Sequence, residues 1–297
     1  MLRAATRGSA LARWQTDHVI ALLQGQGCDD VEVVVISTEG DRRTDVPIEA
    51  IGGRGVFVKE VQAAVLDGRA DFAVHSAKDL PSSAELQPEG LVIGCIPERA
   101  DPRDVLVGST LDGLPTGALV GTGSVRRRAQ LANLRPDLSF TGLRGNIDTR
   151  LAKSRDFDAI VMAAAALQRL GKESEIAELL EPDVLVPQVA QGALAIECRT
   201  DDADVVAALQ AIEHPASRRA VDAERAFLAE LGGGCDLPVG ALATLDGDGL
   251  ELRGLIASYD GRIVLRDRVT GTDPSTVGKE LATALLDGAG ARALLLS

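Results

Sequence analysis

The chain has 297 residues, 45% of them hydrophobic and 25% charged, and a formal net charge of −13 at pH 7. That length supports two or three compact domains, each with its own core, while the acidic balance argues against nucleic acid as the main partner, since phosphate binding needs a basic face. Aromatic residues are only 2%, and the three histidines (His18, His75, His214) lie far apart with no Cys-x-x-Cys nearby, so neither base stacking nor a zinc or other metal site is expected.

No apolar run follows the charges of Met1–Arg7 and none elsewhere is long enough for a membrane helix, so a cytoplasmic protein without a membrane partner is expected. Leu2–Thr6 reads as the first strand. An amphipathic helix comes next, with Leu11, Val19, Leu22 and Leu23 on one face, and then a strand at Val31–Ser37. A second helix covers about Phe57–Asp67 and stops at Gly68, and Ala70–Ser76 reads as a strand. This alternation predicts mostly parallel sheet covered by helices.

Past Pro97 and Pro102 the rhythm continues with strands at Ala118–Gly121, Leu138–Thr141 and Ala159–Met162, each followed by a helical stretch. Ala193–Cys198 is a further strand, and Pro182 and Pro187 mark the crossing before it. From His214 the pattern changes. A long helix leads to Gly232-Gly233-Gly234-Cys235, then three strands are punctuated by Asp248-Gly249 and Asp260-Gly261, and a helix near Pro274–Asp287 closes the chain. The fold class predicted is α/β: two α/β domains followed by a smaller C-terminal α+β domain.

Four stretches carry chemistry. Val74-His75-Ser76-Ala77-Lys78-Asp79-Leu80-Pro81 leaves the carboxyl end of a predicted strand, where open α/β sheets place ligands; a polar loop in which Asp79 makes a turn or a local ion pair is the plainer alternative. Gly121-Thr122-Gly123-Ser124-Val125-Arg126-Arg127-Arg128 is a strand-to-helix turn that offers free N–H groups to an anion. No acidic residue occurs from Gly113 to Pro136, an exception in so acidic a chain, although a solvated helical face would also account for it. Leu143-Arg144-Gly145-Asn146-Ile147-Asp148-Thr149-Arg150 supplies two more guanidinium forks for carboxylates, unless Asp148 pairs with either of them.

The fourth stretch is Gly232–Pro238, whose three glycines strip side-chain cover from the Cys235 thiol. Cys28 sits in a polar turn, and Cys95 and Cys198 in apolar strand patterns read as inert packing. With no close pairing of cysteines a reducing compartment is expected, and no histidine is tied to Cys235 by spacing. Residue chemistry alone therefore reaches a protein that binds a polyanionic small molecule, with covalent attachment left open. A non-catalytic carboxylate-binding protein stands as the rival reading.

At these stretches the chain resembles the porphobilinogen deaminase family. The matching segments are Ala5-Thr6-Arg7-Gly8-Ser9 with Trp14-Gln15, Gly52-Gly53-Arg54-Gly55-Val56-Phe57-Val58-Lys59-Glu60, His75–Pro81, Asp101-Pro102-Arg103-Asp104, Gly121–Arg127, Leu143–Arg150, Gln191-Gly192-Ala193 and Gly233-Gly234-Cys235. They run in family order along nearly the whole chain.

The resemblance implies a transferase of tetrapyrrole biosynthesis with a dipyrromethane cofactor joined by a thioether to Cys235. Four porphobilinogens would be added head to tail, each with loss of ammonia, and hydrolysis would release hydroxymethylbilane. Asp79 would be the catalytic carboxylate, stabilising positive charge on the pyrrole nitrogen and helping to move its proton. Ser76, Lys78, Asp79, Thr122, Ser124, Arg126, Arg127, Arg144, Gly145, Arg150 and Gln191 would hold the cofactor, and Arg7, Ser9, Gln15 and Arg169 the incoming substrate. It also implies a monomer with two periplasmic-binding-protein-like lobes around a cleft: residues 1–92 with 188–212 as the first domain, 93–187 as the second, and 213–297 as a third that presents Cys235. Gly8, Ala10, Arg54 and Asp148 depart from the family's usual residues.

Overall fold

The computed structural model describes residues 1–39, 58–232 and 237–295. In chain order the first elements are β1 (Leu2–Arg7), α1 (Ala10–Gly25), β2 (Val31–Ile36), α2 (Lys59–Leu66), β3 (Phe72–Ser76), β4 (Leu91–Cys95) and β5 (Asp104–Val107). Next come β6 (Leu119–Gly121), α3 (Val125–Leu134), β7 (Ser139–Thr141), α4 (Ile147–Ala152), β8 (Ala159–Ala163), α5 (Ala164–Arg169) and β9 (Ile176–Leu180). Then come β10 (Leu194–Arg199), α6 (Ala203–Gln210), α7 (Pro215–Glu230), β11 (Val239–Asp246), β12 (Gly249–Ala257), β13 (Val264–Gly271), α8 (Pro274–Thr283) and a last short helix, α9 (Arg292–Leu295). It divides into two compact units, Met1–Ala100 with Ala193–Arg219, and Asp101–Gly192 with Ala220–Ser297.

The first unit holds a five-stranded sheet in the order β2-β1-β3-β10-β4, and the second holds one in the order β7-β6-β8-β5-β9. The two sheets share one plan. β1 lies parallel to β2 and β3, as β6 does to β7 and β8. β10 runs antiparallel to β3 and β4, as β5 does to β8 and β9. The mostly parallel reading is thus corrected to two mixed sheets. Strands joined by covering helices pair parallel, whereas β10 and β5 enter their sheets from elsewhere in the chain and are free of that constraint. The second unit also carries the three-stranded antiparallel meander β11-β12-β13.

Local chemistry sets the boundaries. Ser9 caps α1 by accepting from the Ala12 N–H, Ser124 caps α3 through Arg127, and Asp202 caps α6 through Val205. The β11–β12 turn falls one residue earlier than Asp248-Gly249. Asp246 pairs with Gly249, leaving Gly247, at φ +55°, and Asp248 as the two turn residues. β3 is buried on both faces. Phe72 and Val74 pack with Val19 and Leu23 of α1, while Ala73 packs with Val61 and Val65 of α2.

One polar group breaks the α2-facing side of that sheet. His75 Nε2 lies 3.0 Å from Glu197 Oε2 on β10, in ion-pair range but off the line of a good hydrogen bond. Gln62 of α2 donates to both Glu197 oxygens, at 3.1 and 2.9 Å, and all three side chains are buried. The residue ahead of the Ser76–Asp79 stretch is therefore held from α2 and β10 at once.

α7 and α8 approach closely at Gly278, where an added Cβ would fall 2.6 Å from the Ala223 carbonyl oxygen and 2.6 Å from Ala226 Cβ. Backbone cannot retreat as a flexible side chain can. Gly278→Ala should therefore destabilise the protein by about 2 kcal/mol, read as a lower midpoint in urea unfolding; an unchanged midpoint would refute this packing.

Candidate active site

In the first unit the carboxyl ends of the parallel neighbours β1 and β3 bring several expected residues together. Arg7 is the last residue of β1, Ser9 caps α1, and Gln15, nearly two turns later, is 4% exposed. Gln15 Nε2 donates to Ser76 Oγ at 2.9 Å, tying α1 to the last residue of β3. Ala77–Asp79 then forms a single tight turn, pinned by the Ala77 N–H to the Ala193 carbonyl at 3.0 Å. Lys78 and Asp79 are half-buried on that turn, so the cation and the carboxylate project from a fixed backbone.

In the second unit, the turn from β6 into α3 places Thr122 Oγ1 as acceptor for the Ser124 N–H at 3.2 Å, with Ser124 capping the helix. Arg126 and Arg127 then turn inward, 3% and 7% exposed, onto the fully buried Asp104 of β5. Arg127 donates to Asp104 Oδ1 from Nε at 3.0 Å and from Nη2 at 2.7 Å, and its Nη1 reaches the Val161 carbonyl. Arg126 Nη2 sits 2.8 Å from Asp104 Oδ2, and its Nη1 donates to the Val186 carbonyl at 2.6 Å. Gln191 Nε2 completes the cluster, donating to Asp104 Oδ1 at 2.9 Å and to the Pro102 carbonyl at 2.8 Å.

The charges in this cluster do not cancel. Two guanidinium groups face one carboxylate, and Arg126 Nε and Nη2 are buried without a well-aligned acceptor. Burial alone would push Asp104 up, but the field of Arg126 and Arg127 outweighs it and holds the acid down at about 2. Burial pulls Arg126 below its ordinary value, and desolvation brings Arg169 down to about 10. Arg169, at the end of α5, donates to the Gly192 carbonyl at 2.7 Å. Such desolvated donors are suited to a carboxylate-bearing ligand. Arg144 is exposed, and Arg150 Nε donates to the Gly145 carbonyl at 2.8 Å. Asp148 Oδ1 lies 3.2 Å from Lys172 Nζ. Arg128, the third of the run, donates to the Tyr259 carbonyl at 3.1 Å.

Cys235, with Gly233, Gly234 and Asp236, lies outside the described residues, as do Arg54 and the rest of Gly52–Phe57. The other thiols fit the packing reading: Cys95 and Cys198 are buried, and burial pushes Cys95 far up and Cys198 up to about 11. Sequence reasoning gave no role to Asp104. Its signal was an acid opening the otherwise apolar run Asp104-Val105-Leu106-Val107. Glu224 was also missed, although it sits among Val221, Phe227 and Leu228, the apolar stripe of α7.

Asp104 ties stability to pH. Its value in the folded protein lies below the unfolded value of about 3.9, so its contribution, roughly 2 kcal/mol, is present above pH ~4 and is lost as pH falls through ~2. Asp104→Asn should be the less stable protein in urea at pH 7, and the gap from the parent should narrow between pH 4 and 2. A gap independent of pH would remove Asp104 from this role.

Comparison with known proteins bears on both units. The family model described as porphobilinogen deaminase, dipyromethane cofactor binding domain, matches residues 2–207, and that for the porphobilinogen deaminase C-terminal domain matches residues 219–287. The porphobilinogen deaminase of Roseiflexus castenholzii is 52% identical over 99% of this chain and 98% of its own length, and that of Brevibacillus brevis is 49% identical over 97% and 95%. Among solved structures, the methionine-binding protein MetQ aligns with 73% of this chain and 91% of its own at 12% identity and a TM-score of 0.44. Immunogenic lipoprotein A from Vibrio vulnificus covers 73% and 96% at 10% identity and 0.43; the α/β class rests on the sheet order itself. With two family models spanning almost all of it and relatives near half identity end to end, the chain belongs to the porphobilinogen deaminase family.

Proposed function

We propose that the chain builds hydroxymethylbilane from four porphobilinogens, with Asp79 as its catalytic carboxylate and Cys235 as the anchor of its dipyrromethane. In each addition one carbon–carbon bond forms, one carbon–nitrogen bond breaks and ammonia leaves. When bound, the dipyrromethane supplies the pyrrole carbon at which the growing chain starts. The observation that carries the assignment is the buried pair Arg126 and Arg127, two cations on one acid with guanidinium N–H groups to spare. Each pyrrole of the substrate line bears an acetate and a propionate, and such a donor set suits those acids.

The side chains divide the work. Thr122, Ser124, Arg126, Arg127, Arg144 and Arg150, with Ser76, Lys78 and the backbone at Gly145, bind and orient the acids of the cofactor. Gln191 acts through Asp104, to which it donates. Arg7, Ser9, Gln15 and Arg169 receive the incoming substrate, whose carboxylates would offset the desolvation that now depresses Arg169. Asp79, on its pinned turn, stabilises the cation left when ammonia departs and holds the pyrrole N–H proton during bond formation. The non-catalytic binding-protein reading gives no account of a family match that includes a cofactor-binding domain.

No helix among the described residues is long and apolar enough to cross a membrane. We infer further a cytoplasmic monomer without a nucleic-acid partner, organised as residues 1–92 with 188–212, 93–187 and 213–297. The acidic balance of the sequence supports the absence of a nucleic-acid partner.

Two measurements test the assignment. The intact mass of the purified protein should exceed the polypeptide by two porphobilinogens less two ammonias, and Cys235→Ser should lack that excess; an excess that survives the substitution rules out this anchor. Asp79→Asn keeps the shape of the side chain and loses its charge. It should retain the mass excess but turn over more slowly by roughly three decades, and normal turnover would end the catalytic role.

A further inference from the structure

Among the described residues, Ala190 is the one residue other than glycine with a positive φ, at +60°. It is fully buried between Val189, 3% exposed, and Gln191, 0% exposed. An L-residue is held in the left-handed region only where its surroundings over-determine it, and such positions concentrate at functional sites. The surroundings here are specific. Glu224 of α7, 0% exposed, accepts from the Ala190 N–H at 2.6 Å through Oε2 and from the Ala243 N–H of β11 at 2.9 Å through Oε1. The Gln191 N–H donates to the Gln188 carbonyl at 2.9 Å, closing the turn around Ala190.

The two residues after Ala190 explain why the turn must be this one. Gln191 delivers its side chain to Asp104, the acid shared by Arg126 and Arg127, and Gly192 delivers its carbonyl to Arg169. If Ala190 relaxed to a negative φ, the chain beyond it would leave in another direction, and both contacts would be displaced together. The contact to the acid shared by two arginines and the contact to a third thus follow from one backbone torsion.

We propose that Glu224 is a positioning residue that clamps Ala190 in the left-handed conformation and thereby sets the arginine cluster for its carboxylate ligand. α7 runs on to Gly232 and the segment bearing Cys235, so one buried carboxylate ties the stretch leading to the cofactor anchor to the stretch that aims the acid-binding arginines. The proposal rests on the assignment of those arginines to the cofactor's and substrate's acids.

A double-mutant cycle tests it, using Glu224→Gln, Ala190→Gly and the two combined. The readouts are the fraction of protein carrying the covalent mass excess, KM and kcat. Glu224→Gln leaves one acceptor where two N–H groups need one each, and should lower cofactor occupancy or raise KM by roughly fivefold. Ala190→Gly should behave like the parent, because glycine adopts positive φ at little cost. In the Ala190→Gly background the Glu224→Gln effect should shrink by more than half.

Val221→Ala, a core change on the same helix, serves as the control for general destabilisation and should leave occupancy and KM unchanged. Equal losses from Glu224→Gln in both backgrounds, or no loss in either, overturn the proposal. Should Glu224→Gln fail to fold, Glu224→Asp, one methylene short, takes its place in the cycle. Arg127→Lys is measured alongside. If it keeps full occupancy and KM, the arginine assignment fails, whatever the cycle shows.

Discussion

Asp104 opens β5 with a carboxylate that water does not reach, and Arg126 and Arg127 come to it from the first turn of α3. Against a well-packed apolar replacement, an ion pair removed from water adds little stability, because desolvation offsets most of the attraction, although removing one partner alone is costly. Its value here is directional. Five guanidinium donors in a planar fork hold one orientation once two of them are fixed on a carboxylate, and Gln191 fixes that carboxylate in turn. The cation surplus that results is part of the scaffold itself, its donors desolvated and held in one direction.

The first unit achieves the same rigidity by different means. Among the described residues, the Ala77–Asp79 turn rests on no buried acid–guanidinium pair of this kind. Instead β3 is packed on both faces, and its last two residues are held laterally, His75 by Glu197 and Ser76 by Gln15. Lys78 and Asp79 therefore sit on a short turn whose foundation is sheet and helix rather than loop, the support that the proposed role of Asp79 calls for.

Much of this was legible in the sequence. Strand ends near Arg7, Ser76 and Gly121 reflect local pattern, because a short apolar run and the apolar helical period that follows it are neighbours in the chain. The features that escaped were non-local. β4, β5 and β9 are short runs whose apolar residues could equally have packed as loop, and their partners in the sheets are distant in sequence. The inward turn of Arg126 and Arg127 depends on an acid over twenty residues upstream, and no periodicity marks such a partner. Ala190 was invisible for a related reason: nothing about an alanine announces a positive φ that a glutamate in another element imposes.

The shared strand plan has a consequence for the order in which the protein takes shape. All five strands of the second sheet lie between Asp104 and Leu180, so that sheet can close as soon as this one stretch of chain is available. The first sheet cannot, because the strand between β3 and β4 is β10, and Leu194–Arg199 comes only after the whole of the second sheet. During synthesis β3 and β4 must wait as unpaired edges, exposed to wrong partners, until two-thirds of the chain has emerged. The part of the molecule made first is thus completed later, and the turn bearing Asp79, whose backbone is pinned by Ala193, reaches its final conformation only when that late strand docks.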